Sequence, residues 1–496
     1  MRKTATLYCC AILLVLFLIQ LGYSHFADLR AAPGNFAIAY SVMYLYLAVT
    51  VIASLAAKSH REPSSHVLHD LTVDAVMPIF NEDPELLAAG IESFAIQTRK
   101  PRSLWLVDDG STDPALDSPI VRTGVRHCRL AGIHVELVRQ ANAGKRHAQA
   151  NAFKSSDADI FVTVDSDAVL RPDAIEKLLI PFHRDSVMSV GGVAIGQNHK
   201  QSLFTRVVEL GFVMAFLNGR VAEGAFGAVR VNCGILAAYR GAPVRENLER
   251  YLNQLFLGVP VVTGDDRALT IYAKERGRAE FQVDAIAYTA LPTSLSHLVR
   301  QRVRWARSWY WGTAWLLRRN LRSADFLLTF LQVIGMAMYL VSATLAVVGI
   351  LVGEISPRLL LWTLALSAGI AMATSSRYVM YGRPDENWQS RFVTWLFSPL
   401  SSVLYMFILV PLYWYAGFTL KKNSWGTRRR VEVAFHTPVS IPSNVVPVPQ
   451  TLSLPLRSLD AVTADKPVAS NAKSVIDLTS LDRAHKTASG RVSSRS

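Results

Sequence analysis

Apolar segments at both ends of the chain, separated by a central region of a different kind, constrain the fold more than any other feature. Residues 7–21 and 36–57 are apolar near the N-terminus, and residues 326–352, 359–378 and 392–420 are apolar toward the C-terminus. Helices of roughly 20 apolar residues can cross a bilayer. With 51% hydrophobic and only 18% charged residues, the chain is too apolar for an ordinary soluble protein. It is predicted to be an integral multi-pass membrane protein.

The first apolar run has two possible interpretations. It follows Arg2 and Lys3, as in a secretory signal peptide, but no convincing cleavage site comes after it. The second run begins soon afterwards, which favours a hairpin of two spanning helices over residues 1–60. Lys58 and Arg61 follow this hairpin. Because basic residues concentrate on the inner side of the plasma membrane, both ends are predicted to be cytoplasmic.

The C-terminal part is predicted to hold membrane helices, re-entrant helices and a tail. Residues 323–430 contain the late apolar runs, the last of which is interrupted by Pro399 and Pro411. A single crossing there would put the basic residues of 421–430 outside, against the positive-inside tendency, so this run is predicted to be interfacial or re-entrant. Residues 431–496 are rich in Pro, Ser, Thr and Val without periodicity, as in a disordered cytoplasmic tail.

Between the apolar segments, residues 61–295 alternate short β-rich runs with helical patterns. Strands are predicted at 73–77, 104–107, 133–138 and 160–164. This alternation is typical of an α/β sheet, which binds ligands at the carboxyl ends of its strands. The region is therefore predicted to be a cytoplasmic catalytic domain.

The charge distribution limits the classes of ligand that fit the chain, and the cysteine content indicates the redox compartment. A formal net charge of +14 could indicate nucleic acid, but the basic residues lie beside the apolar segments and in the tail. That distribution favours membrane lipids or a nucleotide phosphate, and no nucleic acid is predicted. The four cysteines form neither a disulfide framework nor a zinc spacing, which fits a reducing compartment. The sequence makes no prediction of oligomeric state.

Acidic motifs follow two of the predicted strands. Asp108 and Asp109 open the segment Asp-Asp-Gly-Ser-Thr-Asp, which alone could be an acidic turn. Asp165 and Asp167 follow the strand at 160–164. Carboxylates at i and i+2 on extended backbone project to the same side, so both can reach one Mg²⁺ or Mn²⁺ ion. Such an ion would bridge a nucleotide diphosphate.

Three further motifs carry candidate chemistry. Lys145 and Arg146 follow a glycine at a helix start, where cations meet phosphate, although a solvated basic cap is an equal alternative. Gly-Asp-Asp-Arg at 264–267 suits a general base, and Gln-x-x-Arg-Trp at 301–305 suits a site that holds phosphate beside a sugar ring. The second motif lies in the segment 296–322, whose interleaved Arg and Trp predict an interfacial helix.

Taken together, the motifs at 108–111, 165–167, 264–267 and 301–305 resemble, in order and spacing, the processive membrane-embedded family-two glycosyltransferases. The resemblance implies an α/β glycosyltransferase domain of the nucleotide-diphospho-sugar transferase type, the A-fold, inserted between N-terminal and C-terminal membrane or interfacial helices. Within that family, the segment 249–270 is similar to hyaluronan synthases. Cys-Gly at 233–234 is instead similar to nodulation chitooligosaccharide synthases.

The resemblance implies a role for each motif residue. The donor is a UDP-sugar, with its uridine and phosphates bound by Asp108, Asp109, Lys145, Arg146 and Arg267. Asp165 and Asp167 bind the Mg²⁺ or Mn²⁺ ion directly or through the diphosphate. The catalytic group comprises Asp266 as general base for an inverting transfer, Asp265 beside it, Arg304 for the leaving diphosphate, Trp305 stacked on the acceptor sugar, and Gln301.

Several activities remain open from the sequence. The leading hypothesis is polymerisation of UDP-GlcA and UDP-GlcNAc into hyaluronan, with a growing polysaccharide acceptor that is translocated across the membrane. One alternative is an N-acetylglucosaminyltransferase that makes chitooligosaccharide from UDP-GlcNAc. Another is a single-sugar transferase with a lipid acceptor. A channel or scaffold with a degenerate catalytic domain is disfavoured, because every acidic motif is retained.

Overall fold

An eight-stranded mixed sheet forms the centre of the computed structural model, which describes residues 37–60, 68, 70–319, 324–353, 357–380, 383 and 385–422. The strand order is β3-β2-β1-β4-β7-β6-β10-β5, with a separate β8-β9 hairpin. The strands are β1 Val73–Ile79, β2 Ser103–Asp108, β3 His134–Arg139, β4 Ile160–Thr163, β5 Ala168–Leu170, β6 Val187–Gly196, β7 Ala237–Arg240, β8 Leu255–Phe256, β9 Val259–Pro260 and β10 Arg278–Thr289. The four strands predicted from the sequence are confirmed.

The central strands β1 and β4 are buried on both faces, whereas the edge strand β3 is partly exposed. β1 pairs in parallel with β2 and β4, and every residue of β1 is buried. Because successive side chains of a strand point to opposite faces, Ala75 belongs to one core and Val76 to the other. Parallel strands covered on both faces need apolar residues at every position rather than alternate ones.

Helices cover the sheet and continue beyond it at both ends. In chain order they are α1 Ala37–Ala56, α2 Pro84–Ala95, α3 Pro119–Leu130, α4 Lys145–Ser155, α5 Ala174–Leu179, α6 Leu203–Val213, α7 Val221–Ala225, α8 Gly241–Glu246, α9 Leu248–Leu252, α10 Asp265–Lys274, α11 Leu295–Arg319, α12 Ala324–Leu351, α13 Pro357–Ser375, α14 Arg377–Met380, α15 Trp388–Leu396 and α16 Ser398–Phe418. Short 3₁₀ turns lie at Ala115–Asp117 and Ile180–His183, and a π-helical turn at Met214–Arg220 continues α6.

The structure supports the predicted membrane helices only in part. By length and apolar character, α16 is the one helix within the described ranges that could cross a bilayer, and Leu45–Ala56 and Asp325–Met338 are shorter apolar helices. α16 is continuous, whereas this proline-containing run was predicted to be interfacial or re-entrant because of the basic residues that follow it. Pro399 lies in the first turn, where no intrahelical N–H bond is lost, and Pro411 is held inside the helix. The predicted spanning run at 7–21 and the predicted tail at 431–496 lie outside the described residues.

One tyrosine of α16 ties the apolar helix to the catalytic region. A Cβ atom at Gly211 of α6 would lie 1.4 Å from the hydroxyl oxygen of Tyr405, so only glycine admits this ring. The same hydroxyl accepts a 2.8 Å hydrogen bond from Nη2 of Arg302 on α11. Three helices therefore meet at Tyr405.

A buried ion pair joins α6 to the loop before α15. Nη1 of Arg383 lies 2.8 Å from Oε1 of Glu209, and both side chains are fully buried. The other Glu209 oxygen accepts from the backbone N–H of Gly196 at the end of β6. Arg383 also donates to the carbonyl oxygen of Gly196 at 3.0 Å. The pair fixes the carboxyl end of β6 against the helices that follow the catalytic domain.

Replacing Arg383 by leucine is expected to destabilise the protein strongly. Removing one partner of a buried pair leaves the other charge uncompensated, at a cost of about 3–5 kcal/mol. The midpoint of thermal unfolding of the purified full chain measures the loss. The control is Arg122→Leu, which removes a cation that is 69% exposed in its pair with Asp117. Equal shifts for the two variants would contradict this account.

Candidate active site

The carboxyl ends of β1, β2 and β4 meet where the strand order changes direction. β1 lies between β2 and β4, so a crevice opens beyond its carboxyl end. Asp109 lies at this crevice, with its N–H bonded to the carbonyl oxygen of Ile79 at 2.9 Å. Its carboxylate accepts from Nε2 of Gln140 at 2.7 Å and from the N–H groups of Ala143 and Gly144 at 2.9 and 2.8 Å. Asp109 thus orders the loop before α4.

Asp108 is placed differently from the prediction. It is buried, and its carboxylate accepts from Ser111 through the backbone N–H at 3.1 Å and the hydroxyl at 2.6 Å. These bonds close the turn at Gly110, where φ is +76°. The lining of the adjacent cavity includes Asp109 but not Asp108. Asp108 shapes the turn rather than facing a nucleotide.

Lys145 joins two of the acidic motifs. It is the first residue of α4, and its ammonium nitrogen lies 2.7 Å from Oδ1 of Asp165 and 2.9 Å from Oδ2 of Asp265. Carboxylates far apart in the sequence therefore share one cation at the cavity wall. Burial opposes the charge on Lys145, but the two carboxylates outweigh it and raise the pKa of Lys145 well above its usual value.

Arg146 points away from the cavity, so the prediction that it meets a phosphate is corrected. It is buried, and its Nη1 donates to the carbonyl oxygen of Tyr251 and to Oε1 of Gln254, both at 2.9 Å. Its Nη2 donates to the carbonyl oxygens of Thr263 and Gly264 at 3.2 and 3.4 Å. These donors hold the segment before α10 in place and leave no route to a ligand in the cavity.

Asp165, Ser166 and Asp167 all line the cavity. The Ser166 hydroxyl donates to Oε2 of Glu82 at 2.6 Å, and Oδ2 of Asp167 accepts from the hydroxyl of Thr289 at 3.2 Å. The extended backbone predicted here is replaced by a turn at 166–167, closed by the N–H of Ala168 on the carbonyl oxygen of Asp165 at 3.1 Å, and both carboxylates still reach the cavity. Within the described part of the chain, no group of three or more His, Cys, Asp or Glu side chains is arranged to hold a metal ion.

Asp265 and Asp266 occupy the first turn of α10 and differ in charge environment. Gly264 precedes them with φ +73° and ψ 45°, a left-handed conformation that suits glycine. Burial alone would raise the pKa of Asp265, but Lys145 outweighs burial and holds the pKa of Asp265 below its usual value. Burial and the neighbouring Asp265 carboxylate raise the pKa of Asp266 above its usual value, against Lys145 and Arg267. Two adjacent carboxylates are thus pushed in opposite directions.

α11 packs closely on this turn because small residues allow it. A Cβ atom at Gly264 would lie 2.7 Å from Cβ of Ser308 and 2.9 Å from the ring of Trp311. On α11 itself, a Cβ atom at Gly312 would lie 2.1 Å from Cδ of Arg267. Burial lowers the pKa of Arg267 to about 10, so its guanidinium remains cationic at neutral pH. Two glycines therefore bring α10 and α11 into contact.

The motif at 301–305 lies on the cavity side of α11. Gln301, Arg304 and Trp305 all line the cavity. The buried Oε1 of Gln301 finds no hydrogen-bond partner among the described residues, so it is available as an acceptor. The ring of Trp305 is 38% exposed and is held by Phe212, with ring centroids 5.9 Å apart. The partly exposed indole ring of Trp305 can stack on a sugar, and the neighbouring guanidinium of Arg304 can bind a phosphate.

Comparison with known proteins assigns the family. A hyaluronan synthase of Streptococcus pyogenes is 35% identical over 376 residues, which are 75% of this chain and 87% of that protein. The family model for glycosyl transferase family 2 matches residues 74–247. The chain belongs to glycosyl transferase family 2.

Other relatives and structures show how far the likeness extends. An N-acetylglucosaminyltransferase of Bradyrhizobium diazoefficiens is 34% identical over 362 residues, covering 72% of this chain and 71% of that protein. The mannosyltransferase PcManGT from Pyrobaculum calidifontis, solved with GDP-Man and Mn²⁺, superimposes with a TM-score of 0.46 at 20% identity, covering 78% of this chain and 99% of that one. The protein is therefore a family 2 glycosyltransferase similar to both hyaluronan synthases and rhizobial N-acetylglucosaminyltransferases.

The cavity of this family 2 glycosyltransferase has a volume of about 460 Å³ and extends toward the apolar helices. Tyr46 of α1, Gln332 of α12 and Tyr413 of α16 line its far part. The motifs did not predict these residues. The sequence did contain a signal for them, because a polar side chain within an apolar helix usually faces protein or a polar route rather than lipid.

Gly234 is another residue whose role the sequence did not indicate. A Cβ atom there would lie 3.0 Å from Nζ of Lys145 and 3.4 Å from Oδ1 of Asp165. Its backbone N–H points to Oδ2 of Asp266 at 3.4 Å. Cys233 beside it lines the cavity, and burial raises the pKa of its thiol to about 12, so it is no nucleophile at neutral pH. In this glycosyltransferase, Gly234 leaves open the space over the acidic cluster.

Proposed function

We propose that this protein is a processive inverting glycosyltransferase that polymerises UDP-GlcA and UDP-GlcNAc into hyaluronan. The observation that carries the proposal is that Asp165 and Asp265 meet at Lys145 and that Asp266 lines the same cavity beside them. A family 2 enzyme needs such a site to hold a nucleotide diphosphate and activate an acceptor together. The similarity to hyaluronan synthases over most of the chain supports the choice of polymer.

The donor binds at the carboxyl ends of β1, β2 and β4 in this proposal. Asp109 lines the uridine end and keeps the loop at 140–144 ordered through three hydrogen bonds. Lys145 meets the diphosphate, because its ammonium lies at the cavity wall and its raised pKa keeps it protonated. Arg304, which also lines the cavity, neutralises the departing diphosphate by charge and hydrogen bonding.

The residues present fit a hard divalent cation. Asp165 and Asp167 both line the cavity, and the Ser166 hydroxyl between them is bonded to Glu82. Two carboxylates together with diphosphate oxygens form the all-oxygen donor set that Mg²⁺ or Mn²⁺ prefers. Asp165 and Asp167 would hold the ion, and the bound ion would offset negative charge on the diphosphate.

Asp266 is the general base in this mechanism. Its raised pKa, which burial and Asp265 produce, makes it a better proton acceptor than an ordinary aspartate. It removes the proton from the acceptor hydroxyl as that oxygen attacks the anomeric carbon, and the diphosphate leaves from the opposite face with inversion. Trp305 stacks against the acceptor sugar, and the open acceptor oxygen of Gln301 orients one of its hydroxyls.

We propose that the catalytic domain lies on the cytoplasmic face of the plasma (inner) membrane and that the chain crosses the bilayer several times. Among the described residues, α16 is the one helix that could cross, and it supports attachment to a membrane; Leu45–Ala56 of α1 and Asp325–Met338 of α12 are shorter apolar stretches. The cavity runs from the acidic cluster to polar residues of those helices. A growing polymer would leave by that route, and translocation is part of the proposal.

The identity of the polymer can be tested by measuring which donors the enzyme needs. Purified full-length protein is incubated with UDP-GlcA and UDP-GlcNAc together and with each alone, in Mg²⁺ or Mn²⁺. The expected result is a polymer that forms only with both donors and is degraded by hyaluronidase. Product from UDP-GlcNAc alone that resists hyaluronidase would identify a chitooligosaccharide instead. Label that extracts into organic solvent would indicate a lipid acceptor.

The N-acetylglucosaminyltransferase activity is kept as a second candidate for one reason. The identity to the Bradyrhizobium diazoefficiens N-acetylglucosaminyltransferase, 34%, is nearly that to the Streptococcus pyogenes hyaluronan synthase, 35%. The catalytic cluster serves either donor, since it touches the diphosphate and the acceptor hydroxyl rather than the groups that distinguish the sugars.

Replacing Asp165 and Asp167 together by asparagine is expected to remove the metal dependence of UDP binding. Neutral amides bind hard cations poorly, so the gain in UDP affinity on adding Mn²⁺ should fall at least about tenfold. Calorimetric titration with UDP, with and without Mn²⁺, measures it. The control is Asp185→Asn, because the Asp185 side chain is fully exposed. Unchanged metal dependence in the double variant would place the ion elsewhere.

A further inference from the structure

Arg302 of α11 lies among aromatic rings that belong to three helices. Its guanidinium carbon is 4.6 Å from the ring centre of Trp305, 5.2 Å from that of Tyr405 and 5.9 Å from that of Phe212. Trp305 belongs to α11, Tyr405 to α16 and Phe212 to α6. Arg302, Trp305 and Phe212 all line the catalytic cavity. A cation over an aromatic face is attracted by the ring, most strongly by an indole.

The hydrogen bonds of Arg302 do not account for this placement. Its Nη2 donates to the hydroxyl of Tyr405 at 2.8 Å, whereas its buried Nε has no hydrogen-bond partner among the described residues. A buried donor without a partner costs free energy. The contact with the aromatic rings offsets that cost, and the indole of Trp305 is the nearest of them. The rings therefore set the position of the guanidinium.

Trp305 is held by Arg302 and Phe212 and is open elsewhere. Arg302 precedes it by three residues on α11, so both side chains lie on the same side of the helix, and the guanidinium covers one face of the indole. Phe212 meets the indole edge-on, with an interplanar angle of 61°. Trp305 is nevertheless 38% exposed and lines the cavity. The other face of the indole is the one that a sugar can stack on.

We propose that Arg302 is a positioning residue for the acceptor. Its guanidinium holds the indole of Trp305 with one face covered, so that the acceptor sugar stacks on the other face and presents its hydroxyl to Asp266 in the same cavity. The inference rests on the proposed function, in which Trp305 stacks against the acceptor, and it adds the residue that fixes the direction of the ring. Tyr405 acts through Arg302, which extends the acceptor site to α16.

Loss of this contact should uncouple cleavage of the donor from transfer of its sugar. When the acceptor sugar is misplaced, water attacks the anomeric carbon in its stead, Asp266 takes a proton from that water, and the donor is hydrolysed to UDP and free sugar. The amount of UDP released per sugar incorporated into product therefore reports the position of the acceptor. General unfolding lowers both quantities together and leaves their ratio unchanged.

The test measures that ratio for purified full-length protein with UDP-GlcA and UDP-GlcNAc in Mg²⁺ or Mn²⁺. Arg302→Gln is expected to raise it at least about fivefold, the factor that a cation–π contact contributes. Arg302→Lys should restore part of the coupling, because an ammonium is also attracted by an indole. Tyr405→Phe removes only the hydrogen bond and should raise the ratio less. The matched control is Arg318→Gln, which removes an exposed cation of the same helix and should leave the ratio unchanged.

Each outcome decides the proposal. An active Arg302→Gln enzyme with the wild-type ratio would overturn it. A loss of UDP affinity by Arg302→Gln in proportion to its loss of transfer, measured by calorimetric titration, would also overturn it, because Arg302 would then contact the donor. Sugar incorporated into any product is counted, so the test does not depend on which polymer is made. A wild-type protein that incorporates no sugar would overturn the proposed function and this inference together, whereas an unchanged ratio in an active variant overturns this inference alone.

Discussion

Asp266→Asn should reduce sugar transfer about 100-fold to 10,000-fold while leaving UDP affinity nearly unchanged. The amide is nearly the same size as the carboxylate, and its one oxygen keeps the shorter contact, the 2.8 Å hydrogen bond from the backbone N–H of Arg267. It cannot accept the acceptor proton. Lys145, which we assign to the diphosphate, contacts Asp165 and Asp265 rather than Asp266, so donor binding should persist.

The measurement pairs transfer rates with UDP titration for the same preparations. Asp113→Asn makes the identical chemical change at an exposed position and should leave both quantities at wild-type values. If Asp266→Asn lost UDP affinity in proportion to activity, Asp266 would be a donor contact and not the base.

The pH dependence gives an independent check on the base. Because the pKa of Asp266 is raised by burial and Asp265, activity should fall with acidification at a pH above the ordinary aspartate range. The reactive form is the deprotonated one, so the rate is full at higher pH and is lost as pH falls through the raised pKa. The residual rate of Asp266→Asn should lack this acid limb. If the variant kept the same loss of activity at low pH, the titrating group would be a residue other than Asp266.

Gly264→Ala is expected to lower kcat/KM about 100-fold, because a shift of about 1 Å in a catalytic group has an effect of that size. The new methyl group would lie 2.7 Å from Cβ of Ser308 and 2.9 Å from Trp311. α10 and α11 must then separate, and Asp266 moves away from Trp305 and Arg304. The backbone at φ +73° adds strain of roughly 1–2 kcal/mol for any L side chain.

The control variant Gly132→Ala separates the effect of backbone strain from the effect of the steric collision. Gly132 has φ +86° but meets nothing within 4 Å, so alanine there has the strain without the collision. Both variants should lose the stability that the strain costs, Gly264→Ala should lose more because of the collision, and only Gly264→Ala should lower the activity of the folded protein. Equal activities would show that the close approach of α10 to α11 does not position the base.

The sequence was sufficient for the α/β sheet but not for the membrane helices around it. The segment 296–322, predicted to be an interfacial helix, lies mostly in α11, Leu295–Arg319, and the motif predicted at the end of the strand at 160–164 meets Asp265 at Lys145. This worked because strand ends in an open α/β sheet share one edge, so motifs distant in sequence become neighbours once the topology is known.

The direction of neighbouring side chains could not be inferred from the motifs. Lys145 and Arg146 are successive residues of α4, and successive side chains of a helix point about 100° apart. One faces the cavity, and the other is buried beneath the segment before α10. Asp108 and Asp109 at the end of β2 likewise face opposite ways. A motif specifies which residues occur together, while backbone geometry decides which of them reach a ligand.

Tyr405 has a consequence for any attempt to work with the catalytic part in isolation. α11 supplies one wall of the catalytic cavity, and its Arg302 is held by a hydroxyl of α16, the described helix that could cross a bilayer. A fragment that ended before residue 295 would keep Asp109 and Lys145 but would lose Trp305 and Arg304, and it would leave Glu209 buried without Arg383. Such an excised piece should be unstable and should not transfer sugar. Kinetic work on this enzyme therefore calls for the intact polypeptide in a lipid-like environment.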